Sequence, residues 1–166
     1  MSLIPDKATF QKNFAALPLS TYQAGDTVIA DGSRTGRLLI LKKGTVAILK
    51  AGTEIAKVAE PGAVFGELSV LLDQPHAADV RALETSQFHV ADAATLLTEN
   101  PIAVLYVATM LAHRLNAANH ALIQLKQQLL AGEPQSAVVK TVREMEGILI
   151  ASASLVYSGY PSDPYA

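Results

Sequence analysis

The chain has 166 residues, half of them hydrophobic, so it is long enough for one domain with its own core. Its net charge of −2, without a dense basic stripe, argues against a surface that binds nucleic acid. The absence of cysteine excludes disulfide bonds and thiolate metal sites. No signal-peptide pattern and no apolar run long enough to cross a membrane is found, so we expect a cytoplasmic protein without membrane contact.

Residues 1–16 predict a short amphipathic helix. Pro5 and Asp6 are typical of a first helical turn, where proline is tolerated and an acid lies near the positive end of the helix. The apolar residues that follow recur at helical spacing, at Phe10, Phe14 and Leu17. We expect this helix to pack on the segment that follows.

From residue 19 to residue 90 the pattern changes to short apolar runs separated by turn signals. The runs are divided by glycines: Gly25, Gly32, Gly36, Gly44, Gly52, Gly62 and Gly66. Two further strands are expected between residues 80 and 90, joined around Glu84. Short strands at this regular spacing indicate a β sandwich or a β barrel.

Helices are predicted again after the strands. Asp92 resembles the N-cap of a short helix that ends near Asn100. Residues 102–130 contain neither glycine nor proline and predict the longest helix, and Gly132 is placed to end it.

The long helix carries six apolar residues at the alternating spacing of a heptad seam: Leu111, Leu115, Ala118, Leu122, Leu125 and Leu129. Such a seam favours a homodimer formed through this helix. A helix packed on its own barrel shows the same pattern, so both interpretations stay open at this point.

Residues 133–166 predict one further helix, from Gln135 to about Ile148, followed by a poorly structured tail. The apolar side of that helix consists of Val138, Val139, Val142 and Met145. No basic recognition helix follows, so we expect no helix-turn-helix domain and no nucleic-acid partner.

The most informative stretch covers residues 61–83. Gly62 and Gly66 lie four apart, and Glu67 follows the second glycine. If the next residues form a short helical turn, the free N–H groups at its start can bind an anion, and Gly66 allows close approach to the backbone. Glu67 can then accept a hydrogen bond from a hydroxyl of the same ligand, which predicts a sugar phosphate or a nucleotide.

Several motifs resemble the cyclic nucleotide-binding domain family. The cassette itself reads F-G-E-L-S at residues 65–69 and P-x-A-A-x-V at residues 75–80. The likeness extends to Y-x-x-G-D-x-V-I at 22–29, L-L-I-L-K-K-G-T-V at 38–46 and L-A-x-R-L at 111–115. The resemblance covers roughly residues 17–130, and we expect residues 17–132 to form the barrel and the long helix.

The resemblance implies a mainly β fold: an antiparallel double-stranded β-helix, or jelly-roll barrel, of eight strands with an N-terminal helix and a long C-terminal helix. It also implies a ligand site at matching positions: Phe65, Gly66, Glu67, Leu68, Ser69, His76, Ala77, Ala78 and Asp79. The implied ligand is cyclic AMP or cyclic GMP, and no other cofactor is expected.

Two cassette positions depart from the family pattern. The family has an arginine where this chain has His76, and a serine or threonine where it has Asp79. A charge-assisted hydrogen bond to phosphate contributes about 1.5–3 kcal/mol, so its loss predicts binding weaker by about tenfold to a hundredfold. His76 is interpreted as filling the space of the arginine; Asp79 either repels the phosphate or pairs with Arg81.

These observations predict a non-catalytic regulatory or sensor module with weak or altered cyclic nucleotide binding. The alternative is a dimerisation scaffold whose ligand pocket has decayed. A metal-dependent barrel enzyme would require clustered histidines, but the four in this chain are scattered, at His76, His89, His113 and His120. No nucleophile motif or phosphate-binding loop of an NTPase is found either, so we expect neither an enzyme nor a metal site.

Overall fold

The computed structural model describes residues 6–150. Predictions that concern residues 1–5 and 151–166, including the role of Pro5 and the C-terminal tail, lie outside this range. The described elements follow in the order α1 (Lys7–Phe14), β1 (Leu19–Tyr22), β2 (Thr27–Ile29), β3 (Arg37–Lys43), β4 (Val46–Lys50), β5 (Thr53–Val58), β6 (Val64–Phe65), α2 (Glu67–Leu71), β7 (Asp79–Ala82), β8 (Ser86–Asp92), α3 (Ala93–Glu99), α4 (Pro101–Leu130) and α5 (Gln135–Ile150).

The strands form two four-stranded sheets, ordered β1-β8-β3-β6 and β2-β7-β4-β5. Every strand pair is antiparallel. Consecutive strands β7 and β8 lie in different sheets, so the chain crosses from one sheet to the other at residues 83–85. This arrangement confirms the predicted antiparallel jelly-roll barrel with flanking helices.

Strand β3 is buried on both faces because it separates two cores. Leu39 and Leu41 point into the barrel, where they pack with residues of both sheets such as Ile48. Leu38 and Ile40 point to the other side, where the core is formed with the helices. Successive side chains of β3 therefore point alternately into the barrel interior and towards the layer of helices.

Helix α1 packs on α4, as its apolar spacing predicts. The ring of Tyr106 lies 4.4 Å from the ring of Phe10 and 5.3 Å from that of Phe14, measured between centroids. Asp6 caps the helix, since its carboxylate accepts a hydrogen bond from the backbone N–H of Thr9 at 2.8 Å.

The predicted short and long C-terminal helices are both present. The side chain of Asp92 caps α3 through the backbone N–H of Thr95, at 2.9 Å. The side chain of Asn100 caps α4 through the N–H of Ala103, at 3.1 Å, and Pro101 occupies the first turn.

Helix α5 folds back along α4 and also touches β5. Thr141 is 2% exposed, and its hydroxyl donates to Oε1 of Gln128 at 2.9 Å. Val139 and Val142, predicted on the apolar side of this helix, are exposed. The buried face is therefore rotated towards Thr141, because the docking of α5 on α4 selects a face that the apolar pattern alone does not define.

No single described helix is long and apolar enough to cross a membrane. Helices α3 and α4 meet the length and composition criteria only when joined, and the chain bends by 105° between them.

Candidate ligand-binding site

The predicted cassette surrounds a cavity of ≈ 90 Å³ at one end of the barrel interior. Apart from Asp79, every residue predicted to bind the ligand lines this cavity: Phe65, Gly66, Glu67, Leu68, Ser69, His76, Ala77 and Ala78. Ile29, Ile48 and Val80 complete an apolar wall. Residues from β6, α2 and the loop before β7 are thus brought together by the barrel.

Gly66 lies at the start of the cassette, at a position where the neighbouring backbone leaves no room for a side chain. It has a φ of +93°, and an added Cβ would lie 2.5 Å from the carbonyl oxygen of Arg37. Helix α2 follows directly, and Gly66 gives it no side-chain cap. The first N–H groups of α2 are therefore not satisfied by capping, which agrees with the turn expected from the sequence.

The hydroxyl of Ser69 has a structural contact. It donates to the backbone carbonyl of Gln74 at 2.6 Å, across the loop that follows α2. This bond holds the loop in place, and the side chain contributes to the wall of the cavity.

Glu67 forms a buried ion pair with a residue to which the sequence analysis gave no role. Nη1 of Arg114 lies 2.7 Å from Oε1 of Glu67, and both side chains are 5% exposed. Oε2 of Glu67 makes no hydrogen bond with any described residue, so this oxygen can accept one from a further donor. Nε of Arg114 is buried without a hydrogen-bond partner among the described residues.

A signal for Arg114 does exist in the sequence. Between residues 101 and 125 it is the one Asp, Glu, Lys or Arg in an otherwise apolar and neutral helix. Arginine is almost never fully buried unless it is paired, so a single arginine there indicates a buried acidic partner.

His76 is enclosed by the cassette loop. It is 7% exposed, and its Nε2 lies 3.0 Å from Oγ1 of Thr35. Its backbone N–H donates to the carbonyl of Ser33, and its carbonyl accepts from the N–H of Gly32, both at 2.8 Å. Burial lowers the pKa of His76, against an opposing effect of Glu67. The imidazole is therefore neutral at pH 7 and does not replace the charge of an arginine.

Asp79 lies outside the cavity. Val80 and Ala82 of β7 are buried, so Asp79 and Arg81 alternate to the outer face of the barrel. Oδ1 of Asp79 accepts a hydrogen bond from the backbone N–H of Asp31 at 2.8 Å. No Asp79–Arg81 ion pair is found among the described residues, so the pairing considered from the sequence is replaced by this turn contact.

Two cations on the loops and strands near the cavity form ion pairs with other residues. Lys50 pairs with Asp31 at 2.9 Å, and Arg34 pairs with Asp73 at 2.9 Å. Among described residues, neither lysine nor arginine lines the cavity. No three His, Asp or Glu side chains in residues 6–150 are grouped as metal ligands. The site thus offers backbone N–H groups, one carboxylate oxygen and an apolar wall.

The six residues of the predicted heptad seam separate into two rows. Leu111 packs against the helical core, Ala118 is buried, and Leu125 is half-buried. Leu115, Leu122 and Leu129 are 62%, 54% and 62% exposed. One row of the seam is thus covered within the chain, and the other is free on the surface of α4.

Fold and cavity together define a jelly-roll domain with an internal cavity. Residues 19–98 match the model of the cyclic nucleotide-binding domain family. The match includes the motifs at residues 22–80 and confirms the resemblance predicted from them.

Two curated relatives contain a similar segment. Glutaminase 2 of Bradyrhizobium diazoefficiens is 36% identical over 116 residues, which cover 63% of this chain and 18% of the relative. The cAMP-dependent protein kinase regulatory subunit of Debaryomyces hansenii is 30% identical over 70 residues, covering 42% and 16%. The chain thus spans less than a fifth of the length of either protein.

Solved structures share the fold. The catabolite activator protein of Thermus thermophilus superposes with a TM-score of 0.57 at 20% identity, covering 84% of this chain and 83% of that one. A cyclic nucleotide-binding domain from Methylobacillus flagellatus gives a TM-score of 0.59 at 21% identity, covering 70% and 73%. At this level of identity the similarity establishes the fold.

Proposed function

We propose that this chain is a non-catalytic, cytoplasmic regulatory module that binds a cyclic nucleotide with low affinity. The main supporting observation is that one cavity contains both a carboxylate oxygen of Glu67 without a hydrogen bond to any described residue and the start of α2, which has no side-chain cap. A ribose hydroxyl can donate to Oε2 while the phosphate accepts from backbone N–H groups. The family match supports this class of ligand.

Low affinity follows from the charges that surround the cavity. No described lysine or arginine lines it, and His76 is neutral at pH 7 because burial lowers its pKa. The missing charge-assisted bond corresponds to about 1.5–3 kcal/mol. The cavity of ≈ 90 Å³ is also smaller than the roughly 300 Å³ at which ligand pockets usually begin, so a nucleotide would extend beyond it.

The regulatory role is supported by the Glu67–Arg114 contact. A ligand hydroxyl at Glu67 would bind the same carboxylate that holds Arg114 of α4. Occupancy of the cavity would therefore change the electrostatic environment of the long helix, and the helix is the element that carries the exposed leucines.

Isothermal titration calorimetry with cyclic AMP and cyclic GMP tests the proposal. The unaltered protein should bind in the high micromolar range or more weakly. His76→Arg should tighten binding by about tenfold to a hundredfold, as the charge-assisted bond is restored. His120→Arg, the same substitution at an exposed position, is the matched control and should change nothing. Submicromolar binding by the unaltered protein, or no response to His76→Arg, would refute the proposal.

The second candidate is a dimerisation scaffold, favoured by the exposed row Leu115, Leu122 and Leu129. Each leucine contributes about 1.5–3 kcal/mol when fully buried, so a second copy of α4 on this row is a reasonable partner. Light scattering should give a dimer mass that Leu122→Asp reduces to a monomer. Gln124→Asp, on the opposite side of the same turn, should leave the dimer intact. A monomer at every concentration would exclude this candidate.

A further inference from the structure

A second cavity, of ≈ 310 Å³, lies outside the barrel between α1, the sheet containing β1, β3 and β8, and α4. None of the residues that line it lines the cassette cavity, and it is more than three times larger than the ≈ 90 Å³ found there. Its volume falls in the range at which pockets for small molecules begin, about 300 Å³.

The walls of this cavity are mostly apolar, and its aromatic rings are held by contacts with one another. Phe10 and Phe14 of α1 contribute two aromatic rings, and both rings pack on Tyr106. The hydroxyl of Tyr106 donates to the carbonyl of Gly62 at 2.7 Å, and this bond fixes the ring against the loop that contains Gly62. Leu19, which also lines the cavity, is 48% exposed, so part of this apolar surface is open to solvent.

Three nitrogen-bearing side chains line the same cavity, Gln11, Lys42 and His89, and of these Lys42 is the one with a permanent positive charge at pH 7. The register between β3 and β8 shifts between Leu41 and Lys43, so Lys42 occupies an irregular position in the strand. Lys42 is exposed and forms no ion pair with any described residue. The ring of His89 is half-buried, with Nδ1 at 3.4 Å from the carbonyl oxygen of Leu17.

We propose that this cavity is a separate binding site for a small carboxylate with an apolar body. The hydrocarbon or aromatic body would lie against the rings of Phe10 and Phe14, and the carboxylate would lie at Lys42. The volume accommodates on the order of ten non-hydrogen atoms, at about 30 Å³ for each water-sized unit. A nucleotide does not suit this site, since none of the described residues that line it has a carboxylate to accept from ribose hydroxyls, and its walls are mostly apolar. The proposal does not depend on cyclic nucleotide binding.

Titration of the whole chain with 3-phenylpropionate, followed by NMR, tests the site. The probe should bind saturably and show nuclear Overhauser contacts with the rings of Phe10 and Phe14. Its uncharged analogue 3-phenylpropionamide should bind about tenfold more weakly, because it lacks the charge-assisted contact. Contacts with Ala78 or His76 instead, or equal affinity for the amide, would overturn the proposal.

Matched variants test the role of the charge. Lys42→Gln should weaken binding of 3-phenylpropionate about tenfold, whereas Lys43→Gln, exposed on the next position of β3, should leave it unchanged. Ala15→Trp, at an exposed residue that lines the cavity, should abolish binding while circular dichroism shows an intact fold. Equal effects of the two lysine variants, or undiminished binding by Ala15→Trp, would refute the site.

Discussion

Glu67 and Arg114 form a buried ion pair between residues 47 positions apart, with Nη1 and Oε1 at 2.7 Å. The contact joins the first residue of α2, in the cassette cavity, to the middle of α4. Taking two charges out of water is costly, and the cost is offset only while both partners are present. The ion pair therefore fixes α4 against the wall of the cassette cavity.

Loss of one partner should destabilise the protein strongly. Arg114→Met leaves the carboxylate of Glu67 buried and unpaired, and we expect a loss of about 3–5 kcal/mol in the free energy of unfolding. Urea denaturation measures this loss. The double variant Glu67→Gln with Arg114→Met should recover a large part of it.

An exposed ion pair provides the control for this experiment. Lys50 and Asp31 lie 2.9 Å apart, with side chains 50% and 36% exposed. Lys50→Met should cost no more than about 1 kcal/mol. If Arg114→Met were as mild as Lys50→Met, the ion pair would not be the contact that fixes α4.

Gly66 should be far more sensitive to alanine than Gly52. Both have a positive φ, +93° and +77°, so alanine at either costs about 1–2 kcal/mol in backbone strain. At Gly66 the added Cβ would also lie 2.5 Å from the carbonyl oxygen of Arg37, whereas nothing lies within 4 Å at Gly52. We expect Gly66→Ala to lose a further ~1–3 kcal/mol in thermal unfolding. Equal losses would show that β3 yields to the methyl group.

Stability should fall in mild acid because of His76. Burial lowers the pKa of His76 below 6.5, so the unfolded chain takes up a proton at a higher pH than the folded protein does. The stabilising contribution of the neutral ring is complete above pH 6.5 and decreases as the pH falls from there through the folded pKa.

Urea denaturation between pH 7.5 and about pH 5 measures this effect. His76→Gln should reduce the slope of unfolding free energy against pH, and His120→Gln, at an exposed site, should not. An unchanged slope in His76→Gln would assign the acid sensitivity to other groups.

Asp79 should affect stability more than nucleotide binding. Its Oδ1 accepts from the N–H of Asp31, so Asp79→Ala should cost about 0.5–1.5 kcal/mol by losing that hydrogen bond. Asp79→Asn keeps an acceptor oxygen and should retain most of the stability. Because the side chain does not line the cavity, Asp79→Asn should leave cyclic AMP affinity nearly unchanged in calorimetry. A large gain in affinity would instead support the interpretation from the sequence that the carboxylate of Asp79 repels the phosphate.

The sequence by itself predicts the elements of this protein and the location of the cassette. Asp92 is readable as a helix cap because it bonds an N–H only three residues further along. The apolar runs between glycines predict the strands, and the cassette motifs place eight of the nine predicted ligand residues around one cavity. These features depend on near neighbours in the chain or on motifs that are themselves contiguous.

Only the tertiary structure decides which distant side chains meet. The direction of Asp79 depends on the alternation of β7, which turns Val80 into the barrel and the aspartate outward. The partner of Glu67 depends on how α4 crosses the barrel, and the free row of leucines depends on which side of α4 is covered. These contacts are set by the packing of whole elements across long separations in sequence, and no local periodicity contains that information.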